Sequence, residues 1–183
     1  PSLESGRHVF CEKPSCLSRR QLIAIKNAWK GQAGKVKLFS NLIFRTAPIC
    51  CWLKEAINAG EFGELFAADG DYLYGRIHKI IDGWRGHRKD YSAILGGGIH
   101  MIDILLWFTG RRPHNLFAYG NNIATQKHNL GVKDYVTSIM RFENDFVARV
   151  SSNLACVHRH QLALRLFGTE KTFILDDCGP RVH

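Results

Sequence analysis

His100 and Asp103 stand three residues apart in the run Gly96-Gly97-Gly98-Ile99-His100-Met101-Ile102-Asp103, and Lys13 stands in Glu12-Lys13-Pro14, directly after His8-Val9-Phe10-Cys11. An i, i+3 spacing puts an imidazole and a carboxylate on one face of a helix, and Trp107 falls on the same stripe. An imidazole near a helix N-terminus is favoured neutral, the form that accepts a proton. An ammonium at a strand end can stabilise an alkoxide or polarise a carbonyl. Together these groups equip a site to move a proton and a hydride at a carbon bearing a hydroxyl. The sequence contains no G-x-G-x-x-G, the fingerprint with which backbone amides hold the nucleotide that would exchange the hydride.

Each candidate also has a plainer reading. Lys13 can be a surface lysine paired with Glu12, although Pro14 keeps it out of helical geometry and allows a cis bond that would fix its aim. His100 can be a core histidine held by Asp103 in a tightly packed helix start. The three glycines permit close approach of a ligand or of another backbone. A phosphate cradle is disfavoured, because Met101 stands where a further glycine would be needed. Tyr72, Tyr74, Trp84 and Arg85 can line a pocket or stand on its rim. His158 and His160 would share a strand face, but no third ligand accompanies them and no metal site is expected.

The elements that must position these groups alternate at first. The run from His8 to Glu12 reads as a short strand. Ser18 can cap a helix over about 19–30, ended by Gly31 and Gly34. A second strand covers 36–42, Pro48 suits the first turn of a helix to about 59, and a third strand covers 65–74. This β-α-β-α-β order predicts a parallel sheet. Residues 76–95 then read as a polar, basic loop, which contains Arg85-Gly86-His87-Arg88-Lys89, and a helix runs from about 98 to 108. Strands come next over 115–119, 135–142, 146–155, 161–167 and 172–175, with a turn at Glu143-Asn144-Asp145. Leu162, Leu164 and Leu166 alternate with other residues, the pattern of a sheet with one buried face.

Composition sets the bounds. Lys and Arg number 25 against 16 Asp and Glu, a formal net charge of +9, in a chain of 183 residues that is 45% hydrophobic. The basic residues are scattered, so an anionic ligand or the loss of an acidic part of a longer chain explains the charge better than nucleic acid does. No apolar stretch reaches the roughly 18 residues that span a bilayer, and no signal peptide is visible. The six cysteines form no C-x-x-C pair, which predicts reduced thiols, a cytoplasmic location and no zinc.

Taken together, several segments resemble the Gfo/Idh/MocA oxidoreductases. They are Gly6 to Pro14, the Asn41-to-Arg45 strand end, Gly60-Glu61-Phe62-Gly63-Glu64-Leu65, Trp84-Arg85, Gly96 through Trp107, and Gly168-Thr169-Glu170-Lys171. The resemblance implies an α/β fold: the last part of a Rossmann parallel sheet, over 1–34, followed over 35–183 by a substrate domain with a large, mostly antiparallel open sheet that mediates homo-oligomerisation. It implies NAD or NADP as cofactor, with Glu12, Lys13 and Pro14 at the nicotinamide, and a sugar or polyol as substrate. By it, Lys13 and His100 are the catalytic oxygen stabiliser and acid/base, and Asp103, Arg45, Tyr74, Trp84 and Arg85 surround the substrate. One departure is plain: the family often has Asp four residues before this histidine, where Gly96 stands here. Another is the absent glycine loop, from which the expectation is a fragment inactive alone. The competing readings are a non-catalytic dimerisation module of the same fold and, last, a basic nucleic-acid binder.

Overall fold

The computed structural model describes residues 1–88, 91–128, 130 and 133–183, so Lys89, the end of the basic run, lies outside the described residues. The chain divides into two compact units, Pro1–Ile43 and Phe44–His183.

The first unit is β1 (Val9–Cys11), α1 (Arg19–Lys30) and β2 (Leu38–Ser40), with the two strands parallel in the register Val9 to Leu38 and Cys11 to Ser40. Ser18 caps α1, its hydroxyl accepting from the Gln21 amide at 3.3 Å, while the Gln21 side chain accepts from the Leu17 amide at 2.7 Å. The first contact satisfies an amide that the first helical turn leaves without a partner, and the second ties down the residue before the cap. The division after residue 43, where the sequence suggests one after residue 34, reflects strand pairing, because β2 is bonded to β1.

The second unit holds α2 (Pro48–Asn58), β3 (Leu65–Leu73), α3 (His78–Ile81), a π-helical turn (Ile94–Gly98), α4 (Ile99–Thr109), β4 (Pro113–Asn121), β5 (Tyr135–Phe142), β6 (Val147–Asn153), β7 (Gln161–Gly168), β8 (Thr172–Asp176) and β9 (Gly179–Val182). The strands form one seven-stranded sheet in the order β4-β5-β6-β3-β7-β8-β9. Every neighbouring pair is antiparallel except β3 and β6. The fold is therefore α/β with a large, mostly antiparallel sheet. One expectation is corrected: β3 does not extend the parallel pair of β1 and β2, but sits in the middle of the second sheet. The segment expected to be all loop over 76–95 also contains α3 and the start of the π turn.

Helices α2 and α4 share one core with the sheet, in which Leu53, Leu105, Phe108, Phe142, Leu166 and Phe173 are 0–1% exposed. Gly110, with φ +64°, ends α4 in the left-handed conformation, and Lys54 on α2 donates to the Phe108 carbonyl at 3.2 Å. A cation there complements the negative end of the helix. At the hairpin between β5 and β6, Asn144 and Asp145 take the positive φ that the turn requires.

Neither α2 nor α4 covers the opposite face of the sheet. Phe117 and Tyr119 on β4 are 70% and 80% exposed there, and Ile139 on β5 and Val147 on β6 are exposed as well. Across its middle runs a row of ion pairs. Arg149 reaches Asp69 at 2.9 Å and Asp71 at 2.7 Å, Arg165 reaches Asp71 at 3.7 Å, and Arg181 reaches Asp176 at 2.7 Å.

Candidate active site

The glycine triplet is a packing device, and the residues it packs against are informative. The helical run begins at Ala93, passes through the π turn Ile94–Gly98 and continues as α4. His100 is thus about two turns inside a continuous helix, not at its N-terminus, so the expected dipole effect is lost beyond the first turn. A Cβ at Gly97 would fall under 3.0 Å from the ring of Tyr72 on β3. A Cβ at Gly96 would fall equally close to the Tyr91 hydroxyl. Only glycine lets these two aromatic side chains lie against the helix backbone. Gly96 is the position where the family often carries Asp, and here Tyr91 covers it.

His100 is 6% exposed and lies among aromatic rings. Phe44 meets it edge-on at 5.0 Å between centroids, and Tyr72 stacks on it at 6.4 Å. Tyr72 stacks in turn on Tyr74 at 6.2 Å. His160 stands edge-on to both tyrosines, at 5.2 and 5.6 Å. Its Nδ1 lies 3.1 Å from the Leu73 carbonyl. A carbonyl only accepts, so Nδ1 carries the proton and the tautomer is set. Burial, with the neighbouring Tyr91 and Tyr74, pushes the Tyr72 hydroxyl up to about 12. It is a donor at any physiological pH.

Arg45 and Asp103 bind each other. Arg45 Nε donates to Oδ2 at 2.8 Å and Nη2 to Oδ1 at 2.6 Å, a two-pronged pair. The guanidinium carbon lies 5.9 Å from the centre of the Trp107 ring, on the stripe shared with His100 and Asp103. The hydrogen bond and the charge of Asp103 raise the Arg45 pKa against the opposing effect of burial. The pair holds the start of the second unit against α4, and the Arg45 side chain is 45% exposed.

Trp84, 62% exposed, carries Arg85 over its ring at 4.8 Å and meets Tyr91 edge-on at 6.3 Å. Tyr91 itself is buried beside Ile80, Ala93 and Leu154. Burial raises its pKa, and the Arg85 charge and hydrogen bond only partly offset that. Residue types alone did not single out Phe44, Tyr91 or His160 as site residues. The signal for Tyr91 was present in the glycines, which imply that something bulky approaches.

His158 and His160 do not share a strand face, because both precede β7. His158 pairs with Asp177 at 3.3 Å, and Arg159 joins it at 2.6 Å. Among the described residues no group of three His, Cys, Asp or Glu is placed to hold a metal ion. An apolar cavity of about 120 Å³ lies beside Phe44 and Met101, with Cys50, Ile104 and Leu164 in its wall. Burial, then Cys51, pushes the Cys50 thiol up to about 11, so it is inert. No cysteine is in a disulfide among the described residues.

In the first unit, half-buried Lys13 lies just past the carboxyl end of β1, where α/β sheets bind ligands. The Lys13–Pro14 peptide is cis, and the Glu12 carboxylate accepts from Asn41 Nδ2 at 2.7 Å. The end of a parallel strand with an ammonium suits the nicotinamide end of a dinucleotide. The same 183 residues contain no glycine loop for its pyrophosphate.

The model of the GFO/IDH/MocA C-terminal domain matches residues 52–174. The chain belongs to the Gfo/Idh/MocA family. The Gfo/Idh/MocA relatives include 1,5-anhydro-D-fructose reductase of Ensifer adhaerens, 27% identical over 155 residues, which are 81% of this chain and 44% of that protein. Inositol 2-dehydrogenase of Corynebacterium glutamicum is 23% identical over 163 residues, 89% of this chain and 46% of that protein. The chain spans less than half the length of these curated relatives. Among solved structures, myo-inositol 2-dehydrogenase of Lactobacillus plantarum superposes with a TM-score of 0.85 at 18% identity, over 98% of this chain and 57% of that one. The Lactobacillus casei scyllo-inositol dehydrogenase with bound NAD(H) and scyllo-inositol gives 0.82 at 18% identity, over 98% and 56%. These two likenesses concern the fold. No helix among the described residues is long and apolar enough to cross a membrane.

Proposed function

We propose that this chain is the substrate-side part of an oxidoreductase that oxidises a sugar or polyol hydroxyl, or reduces the corresponding ketone. NAD(H) or NADP(H) would accept or supply the hydride. The observation that carries the reading is His100, buried on α4 among Phe44, Tyr72 and their neighbours, in a chain of this family. The named activities of the relatives, on inositol and on anhydrofructose, support the substrate class.

In this reading His100 takes the proton from the reacting hydroxyl, and aromatic burial excludes the water that would compete for it. Lys13 holds the oxygen as negative charge grows on it. Glu12, Lys13 and Pro14 would face the nicotinamide. Tyr74, Trp84 and Arg85 form the substrate rim, and the Arg45–Asp103 pair fixes the first turn of the unit against α4. The uncovered sheet face, apolar at its β4–β5 end and internally charge-paired at its centre, would associate with a second copy. The cysteines, none of them in a disulfide among the described residues, fit a cytoplasmic setting.

Activity on myo-inositol, scyllo-inositol and 1,5-anhydro-D-fructose with each nicotinamide cofactor tests the proposal. Turnover is expected only in company with a dinucleotide-binding domain. The 183-residue chain should bind NADH more weakly than low-micromolar by calorimetry, because it offers no amide-lined turn to the pyrophosphate. With such a domain, His100→Ala should lower kcat by roughly 10²–10⁴-fold and leave cofactor affinity nearly unchanged. Full turnover by His100→Ala would refute the assignment. A complete lack of cofactor response would favour the non-catalytic association module instead.

A further inference from the structure

We infer that the Tyr91 hydroxyl is a ligand for a substrate oxygen, placed one helical turn from His100. The inference rests on the sugar or polyol reading above and adds a residue to it. Three observations carry it. First, Tyr91 Oη lies against Gly96 so closely that a Cβ there would collide with it. Gly96 precedes His100 by four residues in one continuous helical run, so the hydroxyl sits about one turn from the imidazole. Second, the Arg85 charge acts on this hydroxyl while the guanidinium lies over the ring of Trp84, which meets Tyr91 edge-on, and a tyrosine hydroxyl can both donate and accept. Third, the ring is clamped by Trp84 on one side and by Ile80, Ala93 and Leu154 on others, which fixes where the hydroxyl points.

A fixed donor beside a fixed acceptor matches a vicinal diol. One hydroxyl gives its proton to His100, and its neighbour accepts from Tyr91. A hydroxyl is also neutral, unlike a carboxylate at the same place, so the site would favour a neutral polyol over a cationic or amino sugar. Arg85, stacked on exposed Trp84, adds positive charge at the rim and would tolerate an acidic substituent there.

The test uses the 183-residue chain and three neutral polyols as probes: myo-inositol, scyllo-inositol and 1,5-anhydro-D-fructose. Dissociation constants come from ligand-observed NMR, which reads millimolar binding without turnover. Tyr91→Phe should weaken binding by about three- to tenfold, the loss of one neutral hydrogen bond. Gly96→Ala carries no polar group, yet it should weaken binding similarly because its methyl displaces Oη. Should either variant unfold, wild-type protein labelled at the tyrosine ζ carbons gives the answer directly, since the chain has five tyrosines. Addition of polyol should shift the Tyr91 signal. Unchanged affinity in Tyr91→Phe, or an unmoved Tyr91 signal under saturating polyol, overturns the inference while leaving the polyol reading standing. If wild-type protein binds none of the three probes, the polyol reading fails and the inference falls with it.

Discussion

Along β3, Ala68, Gly70 and Tyr72 face α4, while Asp69 and Asp71 face the other way, and the two sides of the sheet solve different problems with the same strands. On the helix side, Gly70 admits the Met101 side chain, Gly97 admits the Tyr72 ring, and Phe142, Leu166 and Phe173 are fully enclosed. Stability there comes from area removed from water and from fit. On the other side, charge is met by charge across neighbouring strands. Asp71 shows how completely. Burial pushes its carboxyl up, but hydrogen bonds from Arg149 and Ser151, with the Arg149 and Arg165 charges, hold it below its usual 3.8. A face neutralised within one chain can be covered without stranding an isolated charge. The lesson is that one side is closed by fit, and the other is kept closable.

The sharpest way to break that contrast is on the helix side. Phe108→Ala empties a fully enclosed site and should cost about 3–5 kcal/mol, read as a shift in the urea midpoint. Gly97→Ala adds one methyl where the Tyr72 ring already lies, and about 1–3 kcal/mol is expected from the same measurement. It should also disturb polyol binding, since Tyr72 stacks on His100.

On the other side the effects are smaller and depend on pH. Arg149→Met removes the central partner of Asp69 and Asp71 and should cost about 1–3 kcal/mol near pH 7. The sign of the pH effect comes from Asp71. Its pKa is lower folded than unfolded, so its contribution is present above the unfolded pKa of about 4 and is lost as pH falls through the folded value. Wild-type stability should therefore drop between about pH 5 and 3, and Arg149→Met should drop less steeply over that range. A slope unchanged by the substitution would show that the row of pairs does not couple to folding. Smallest of all, Ile139→Lys on this face should change monomer stability by no more than about 0.5 kcal/mol. It should nevertheless lower the sedimentation coefficient if the face associates with a second copy.

How much of this could be read from residues alone depends on the range of the forces involved. The first helix was legible to its ends, because Ser18, Gln21 and Gly31 act within four residues. The alternation of Leu162, Leu164 and Leu166 disclosed which side of β7 is enclosed. The partner of β3 was not legible, since β-α-β order favours a parallel neighbour and the choice of β6 and β7 is made by residues about 80 to 100 positions away. The Arg45–Asp103 bond spans 58 positions and leaves no local trace. The stripe of His100, Asp103 and Trp107 was visible as spacing, but its place deep in a helix was not, because the π turn before it begins with Ile94-Leu95 and three glycines, which read as loop. Tyr91 was hidden for the same reason: it comes after a basic, polar stretch with no periodicity.

The π turn has a consequence for how this helix could be shortened. Such a turn takes about one residue more than the regular turn it replaces, so it absorbs that residue and the segments on its two sides keep nearly the phase of an uninterrupted helix. Each residue of a regular α-helix turns the chain by about 100°. Deleting one glycine of the triplet should therefore leave the Tyr91 side in nearly its present sector relative to His100, whereas the same deletion in a wholly regular helix would swing everything upstream by that angle. The triplet is slack in the winding: the chain can lose a residue there and keep donor and acceptor on the same side.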